Sequence, residues 1–529
     1  MAVVNLTASA FSTTGSISAS STSLTVADAS GFAVNDYLIV EIGGEAGVGA
    51  RGTVGVGGAW PDLSYASAAA MNADTGKPDG QYAWRTDTGN VYRSFSGVWT
   101  QQTYYYWAKV IPRSLVARVT AKAGNVLTLS VAASVAATNA KVYYDNYPVF
   151  NAHASDAIGT EIVWPSGNFA LSDMCWMQDR SNWHIHGTSK TATKLFFPKG
   201  ISAVALIDFA GGSGNRVSNL CVQGNALAQG YMIAWNPPGT DQTTARAHYG
   251  IFFSGQTNGI ISDTKSIDTF QGAVISACTN SSVYRHDAVL TEGLQEYVQW
   301  AVQGADSTGG EFADCTVTSA KLTAGIEWFR SSGNIIRNYT GSNATMSLNS
   351  VDNWQIINPS IIIAPNSQLS QTSFGKDQPI IVISNTIGGA YIANGGVLTN
   401  ASITIQGYIN AANDVLAGIV ITSADVVNVR IVGGTYAGPD YAAPSTLFGP
   451  QGIRSTGGNT QVSCFTCRGQ IAAGTATVNR ANIGVDSGSI TYCRGGSIYG
   501  SPGVTLTGNG IATAPLNAAC GRQFALHCV

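Results

Sequence analysis

The stretch that decides the fold runs from 216 to 360 and holds six short apolar segments, each broken by a polar turn: RVSNLCV (216–222), IISDTKS (260–266), VYRHDAV (283–289), FADCTVT (312–318), IIRNYTG (335–341) and WQIINPS (354–360). The polar corner falls on Asn219, Asp263, Arg285, Asp314, Asn338 and Asn358. From Asp263 onward the corners are 22, 29, 24 and 20 residues apart, and the 44 residues from Asn219 to Asp263 make two periods of 22. Such a period marks a solenoid, because one coil cannot bury its apolar side without a neighbour. Asn and Asp suit the corner: their short side chains tolerate a left-handed bend and hydrogen-bond to stacked groups above and below.

Working outward, further coils are visible in GIVITSADVVNVRIVGGTY (418–436), GIRSTGGNTQVSCFTCRGQ (452–470) and SITYCRGGSIYGSPGVTLTGNG (489–510). The period is interrupted at 225–247, at TEGLQEY (291–297) and at 435–451. Insertions in a solenoid emerge as loops on one face, often the binding face.

Composition agrees with an all-β chain. Only 11% of the 529 residues are charged, against a usual value of about 25%, while 61 are Gly. That leaves little material for solvated amphipathic helices and favours short strands and tight turns. A net charge of -3 carries no basic excess, so neither nucleic acid nor an anionic membrane is an expected partner. The first residues, MAVVNLTASAFSTTGSISASS, lack the cationic and apolar segments of a secretory signal, and no apolar run approaches the roughly 20 residues of a membrane span. The expectation is a near-neutral soluble protein that reaches the outside by lysis, as virion parts do. Most of the nine cysteines sit singly in apolar runs, such as Cys221, Cys278 and Cys315, and read as buried thiols. Cys464-x-x-Cys467 has no second pair at zinc spacing, and Cys520 and Cys528 are left open between a pair and free thiols.

Residues 1–148 differ in character. SLTVADASGFAVNDYLIVEIGG (23–44) predicts two strands around a Gly-Phe turn, and VARVTAKAGNVLTLSVAAS (116–134) a hairpin closed by Gly124-Asn125. Between them, an aromatic stretch with turns at 88–90 and at Ser96-Gly97 predicts an inserted hairpin module. This is a small β-rich head domain.

The segment PVFNAHASDAIGTEIVWPSGNFALSD (148–173) combines a short helical stretch, the strand EIVW and the spacing Pro165, Gly167, Phe169. With the repeat, it resembles the N-terminal cap and coils of the pectate-lyase-like right-handed parallel β-helix superfamily, over residues 149–512. A tail, 513–529, remains. Within that superfamily the chain looks like a bacteriophage tailspike. The resemblance implies a homotrimer on a virion, joined to the tail or baseplate through the head, that recognises and depolymerises a bacterial surface polysaccharide (capsule, exopolysaccharide or O-antigen). It lacks the paired-Asp motifs of the polygalacturonase-like branch.

The chemistry is argued from residues. Glycoside hydrolysis needs two carboxyl groups roughly 5 to 9.5 Å apart, a spacing that neighbouring coils about 4.8 Å apart supply. Aligning coils from Gly250, Gly272, Val298, Gly325 and Ser347 places Phe252, Val274, Trp300, Glu327 and Asn349 in one column. The flanking column (Ile251, Ala273, Gln299, Ile326, Leu348) is mostly apolar, so the Trp300 and Glu327 column is expected to face outward. Glu292 and Glu327 are the expected catalytic pair, with Asp287 and Glu296 as substitutes. Trp300, Trp328, Tyr249 and Trp235 are the expected sugar-binding aromatics. Asp263 and Asp314 are assigned to the ladder corner. His184 and His186 in NWHIHG lie on one face of a strand, as two metal ligands would, but no third ligand is near in sequence, so neither metal nor cofactor is expected. An eliminating lyase would instead draw its base from His248, Tyr249, Arg285 and His286, and a receptor-binding spike without catalysis is the third reading. Neither a Gly-x-Ser-x-Gly elbow nor a His-Glu-x-x-His helix is present.

Overall fold

The polar corners turn the chain as their residue types predict. In a computed structural model, Asn219, Asp263, Arg285, Asp314, Asn338 and Asn358 all take left-handed conformations, with φ between 51° and 55°. Asn400 extends the column at φ 52°. Their side chains link coil to coil: Asn338 donates to Asp314 Oδ1 at 2.9 Å, Asn358 to Asn338 Oδ1 at 3.2 Å, and Asn400 to Asn358 Oδ1 at 3.2 Å. Arg285 breaks the Asn/Asp rule without breaking the ladder, since its guanidinium grips both oxygens of Asp263 at 2.6 and 2.8 Å. Asn338→Ala is expected to cost about 1–2 kcal/mol, combining αL strain with two lost hydrogen bonds, and Asn338→Gly less, since Gly keeps the backbone relaxed. Urea unfolding of the two variants checks the order.

The structure describes residues 2–41, 63–73, 82–85, 90–95, 98–101, 106–108, 114–156, 159–224 except 202 and 204, 232–234, 249–291, 300–365, 367, 380–385, 395–406, 418–422 and 428–437. Beyond these it describes strands at 453–455, 460–463, 466–468, 483–485, 488–491, 497–500, 505–507, 511–513 and 522–526.

Each coil contributes three strands, and strands at equivalent positions stack in parallel, making a parallel β-helix. The first sheet includes Thr160–Val163, His184–His186, Arg216–Ser218 and Ile260–Ser262. The second includes Gly167–Ala170, Thr193–Phe196, Cys221–Gln223, Lys265–Ile267 and Asp287–Leu290. The third includes Cys175–Gln178, Ala205–Ala210, Tyr249–Ser254, Gln271–Ser276 and Val302–Ala305. Thr316–Phe329 is long enough to run through the second sheet and on into the third. Inward side chains stack into one apolar column, with Ile162, Ile185, Val217 and Ile261 on the first sheet fully buried. Cys175, Cys221, Cys278 and Cys315 are buried free thiols, as single cysteines in apolar runs predict. Cys464, Cys520 and Cys528 lie outside the described residues.

The cap forms where the sequence places it. Pro148 opens the helix Tyr147–Asn151, and buried Phe150 stacks on Trp164 with ring centroids 6.3 Å apart, which in turn packs on Phe169 at 5.5 Å. The head is a closed six-stranded barrel containing the predicted hairpin, Leu115–Ala123 and Val126–Leu129, with Gly124 left-handed between them. The inserted module is a four-stranded sheet spanning Leu63–Tyr65 to Val98–Gln101. Two strand pairings were not read from the sequence. Ala2–Asn5 pairs in parallel with Thr160–Val163, so the chain starts on the β-helix and only then forms the barrel. The tail strand Arg522–Leu526 folds back antiparallel onto Ser497–Gly500 and Ile511–Thr513. The first of these pairings joins segments on either side of the whole head and carries no turn signal. Among the described residues, no helix is long and apolar enough to cross a membrane.

Candidate functional site

The third sheet carries three adjacent rows across successive coils. Ile251, Ala273, Val302, Ile326 and Met346 form one interior row, and Phe253, Ile275, Gly304, Trp328 and Leu348 another. Between them runs the outward row Phe252, Val274, Gln303, Glu327 and Ser347, continued on the earlier coils by Asp208 and Trp176. Alternation of the strand puts this row on the face away from the core.

Gly250 lets a second outward row start beside it. A Cβ on Gly250 would meet Val222 Cγ2 at 2.9 Å, so this position faces the interior, as does Ile251 after it. The pleat therefore misses one step, and Tyr249 stays outside, stacked on Phe252 with centroids 4.7 Å apart and planes 13° apart. Gln271 pairs with Tyr249 in register.

These rows hold a polar line. Gln271 Nε2 donates to Gln303 Oε1, and Gln303 Nε2 donates to Glu327 Oε2 at 2.7 Å. Ser347 hydrogen-bonds the same carboxyl. Although outward-pointing, Glu327 is only 5% exposed. Burial pushes its carboxyl up to about 8, against the smaller downward pull of Gln303 and Ser347. A carboxylic acid that keeps its proton at neutral pH is equipped to donate it. Asp208, four strands away in the row, is raised by burial alone to about 7. Asp208 Oδ1 and Gln271 Oε1 are buried acceptors with no partner among the described residues. Four strand spacings amount to about 19 Å, too far for Asp208 to act on the same glycosidic bond as Glu327.

The expected residues fall as follows. Glu327 lies in the row with Phe252 and Val274, as aligned. The alignment fails on the coil between: Gln303 stands beside Glu327, and Ser347 replaces Asn349. Val302 pairs with Ala273, so Trp300 lies before the strand Val302–Ala305 and outside the row to which it was aligned. The first mismatch follows the break in the period at 291–297, which changes the residue count before Gln303.

Trp328 is not a sugar platform. Adjacent to outward Glu327, it points inward by alternation, is fully buried and stacks on Phe312 at 4.1 Å and 6°. Asp287 is on the second sheet, ion-paired to Lys190 at 2.6 Å and bonded by Thr316 at 2.8 Å, away from the Glu327 row. Tyr249 is on the outward face, its hydroxyl raised by burial and then by Asp208. Glu292, Glu296, Trp235 and His248 lie outside the described residues.

His286 is removed as a base. It is fully buried between Thr264 and Ser266, at 2.8 and 3.0 Å, and burial lowers it to about 4, where Asp287 only partly opposes the drop. Arg285 belongs to the ladder, as do Asp263 and Asp314. Asp208 escaped the sequence reading, although a lone carboxylate inside the apolar run ALIDFA (205–210) is a signal in its own right.

On the first sheet, His184 and His186 do share a face, with rings stacked 4.5 Å apart. The preceding coil brings Glu161 to them, so that one ligand atom from each of the three lies within 4.8 Å of the others. His186 Nε2 is 2.8 Å from Glu161 Oε1.

No family model matches the chain, and no curated protein matches it. Among solved structures it is similar to the DFA-IIIase of Arthrobacter chlorophenolicus A6 without its lid, at 14% identity and TM-score 0.47 over 66% of this chain and 90% of that one. It is similar to the A-module of a mannuronan C-5 epimerase of Azotobacter vinelandii, at 13% identity and TM-score 0.43 over 70% and 94% of the two chains. It is also similar to the ORF18 protein of Geobacillus virus E2, at 10% identity and TM-score 0.41 over 77% and 74%.

Proposed function

We propose that this chain binds a bacterial surface polysaccharide along the outward face of the third sheet and cleaves it by endo-glycosidic hydrolysis, as the spike of a bacterial virus. The observation that carries the reading is Glu327, a shielded carboxyl raised to about 8 on an outward row. Its role is general acid to the leaving glycosidic oxygen, and Gln303 and Ser347 hold it in place. The aromatic pair Tyr249 and Phe252 offers an apolar surface to sugar faces, and the unpartnered acceptors Asp208 Oδ1 and Gln271 Oε1 suit sugar hydroxyl donors. Glu292, which follows the last residue of the described strand segment ending at 291, is the proposed second carboxylate. Attachment through the barrel, trimerisation and a place on the virion tail belong to the same proposal.

The test incubates the full chain and Glu327→Gln with capsular, exopolysaccharide and lipopolysaccharide preparations, following reducing ends and the absorbance of unsaturated uronates. New reducing ends without the chromophore, lost in the variant, are expected. The chromophore would replace hydrolysis by elimination, and binding without cleavage would make the protein an adhesin.

A further inference from the structure

The geometry points to a divalent transition-metal site on the first sheet, formed by Glu161, His184 and His186 and tying the first coil to the second. Glu161 pairs directly with His184 across the two strands, and His186 is two residues further on the same face. Both imidazoles and the carboxylate thus project from two hydrogen-bonded strands about 4.8 Å apart. The ligand atoms all lie within 4.8 Å of one another. Tetrahedral zinc with bonds of about 2.0–2.1 Å needs ligand atoms about 3.3 Å apart, so the three close on an ion by small side-chain rotations.

Hydrogen bonding around His186 supports a cation. Its Nδ1 donates to Gly187 O at 3.2 Å, while Nε2 faces Glu161 Oε1, also an acceptor. Both contacts are satisfied if the ring is a double donor, if the Glu161 carboxyl carries the shared proton, or if a metal ion takes the place of that proton. A backbone carbonyl fixing the second nitrogen of a ligating His is the usual outer support of a metal site. His184 is bonded through Nε2 to Ser218 Oγ at 2.8 Å, which holds its ring in place and leaves Nδ1 for coordination. Arg216, next to His184 on the following coil, is the opposing charge, but it is exposed and free to extend into solvent.

Two imidazoles and one carboxylate select zinc-like ions over calcium or magnesium, which prefer all-oxygen shells. The side chains of His186 and Glu161 are 19% and 28% exposed, so the remaining coordination positions are open to water. In a solenoid each coil is held only by its neighbours, so a link between the first two strengthens the terminal repeat.

Untagged, metal-stripped full-length protein is titrated with Zn2+ by calorimetry and with Co2+ by visible absorption, beside Glu161→Gln and His186→Ala, with circular dichroism confirming that both variants fold. A binding event is expected in the parent chain that each variant weakens by about 100-fold or more. A zinc-dependent rise in unfolding temperature that neither variant shows is also expected. Absence of binding up to about 100 µM Zn2+, or equal binding by the variants, overturns the site. Site-dependent binding without a rise in unfolding temperature overturns the link between coils.

Discussion

Glu327→Gln is expected to lose polysaccharide cleavage by about 10²- to 10⁴-fold and, at the same time, to unfold at a higher temperature than the parent chain at pH 8. The two effects share one cause. In the folded chain the carboxyl keeps its proton to about pH 8, whereas its ordinary value, taken up on unfolding, is 4.5. Between those values the folded state holds a proton that the unfolded state has released, so stability falls as pH rises through the window and levels off above it. An amide removes the titration. Its oxygen accepts from Gln303 and its NH2 faces Ser347, which reproduces the donor and acceptor of a protonated carboxyl. The gain is therefore expected to be slight at pH 5, at most about 3 kcal/mol at pH 7, and largest at pH 8 and above. Thermal melts of both proteins at pH 5 and pH 8 measure it. A variant that is stabilised no more at pH 8 than at pH 5 would show that the carboxyl is already ionised, and with it would go the proton donor.

The solenoid was legible because a corner needing a left-handed residue advertises itself at every coil. The Asn and Asp positions at 219, 263, 314, 338 and 358, with Arg285 among them, all take that conformation. The outward row was legible where the coils are regular, at Phe252, Val274 and Glu327, and lost where 291–297 changes the count before Gln303. Trp328 shows how a single residue of register decides a role, since neighbours on a strand face opposite ways and an indole beside an outward-pointing carboxyl must point to the interior. The third metal ligand was hidden for a different reason. Glu161 and His184 are 23 residues apart, one coil, so proximity along the chain was the wrong measure and the solenoid period the right one. Strand Ala2–Asn5 could not be placed because a parallel pairing with a partner on the far side of the head leaves no local mark.

The interior beneath Glu327 sets the second large effect. Trp328 lies over Gly304 so closely that a Cβ there would be 2.0 Å from the indole Cε3, and a Cβ on Gly310 would be 2.7 Å from Cη2. The indole thus occupies space that two glycines leave free. Trp328→Ala opens a cavity in a fully buried stack with Phe312 and is expected to cost about 3–5 kcal/mol. Gly304→Ala forces the opposite error, overpacking, and is expected to cost at least about 1–3 kcal/mol, since the colliding ring is held between coils and cannot swing away. Gly304 also follows Gln303, whose amide holds Glu327, so displacement of this strand is expected to reduce cleavage without changing any group on the outward face. The two substitutions concern one volume, so they are coupled: Gly304→Ala combined with Trp328→Ala is expected to be less destabilising than the sum of the two single changes by more than about 0.5 kcal/mol. Urea unfolding of the four proteins closes the cycle. Additive energies would mean that the indole and the glycine do not compete for the same space, and the packing that holds Glu327 outward would need another source.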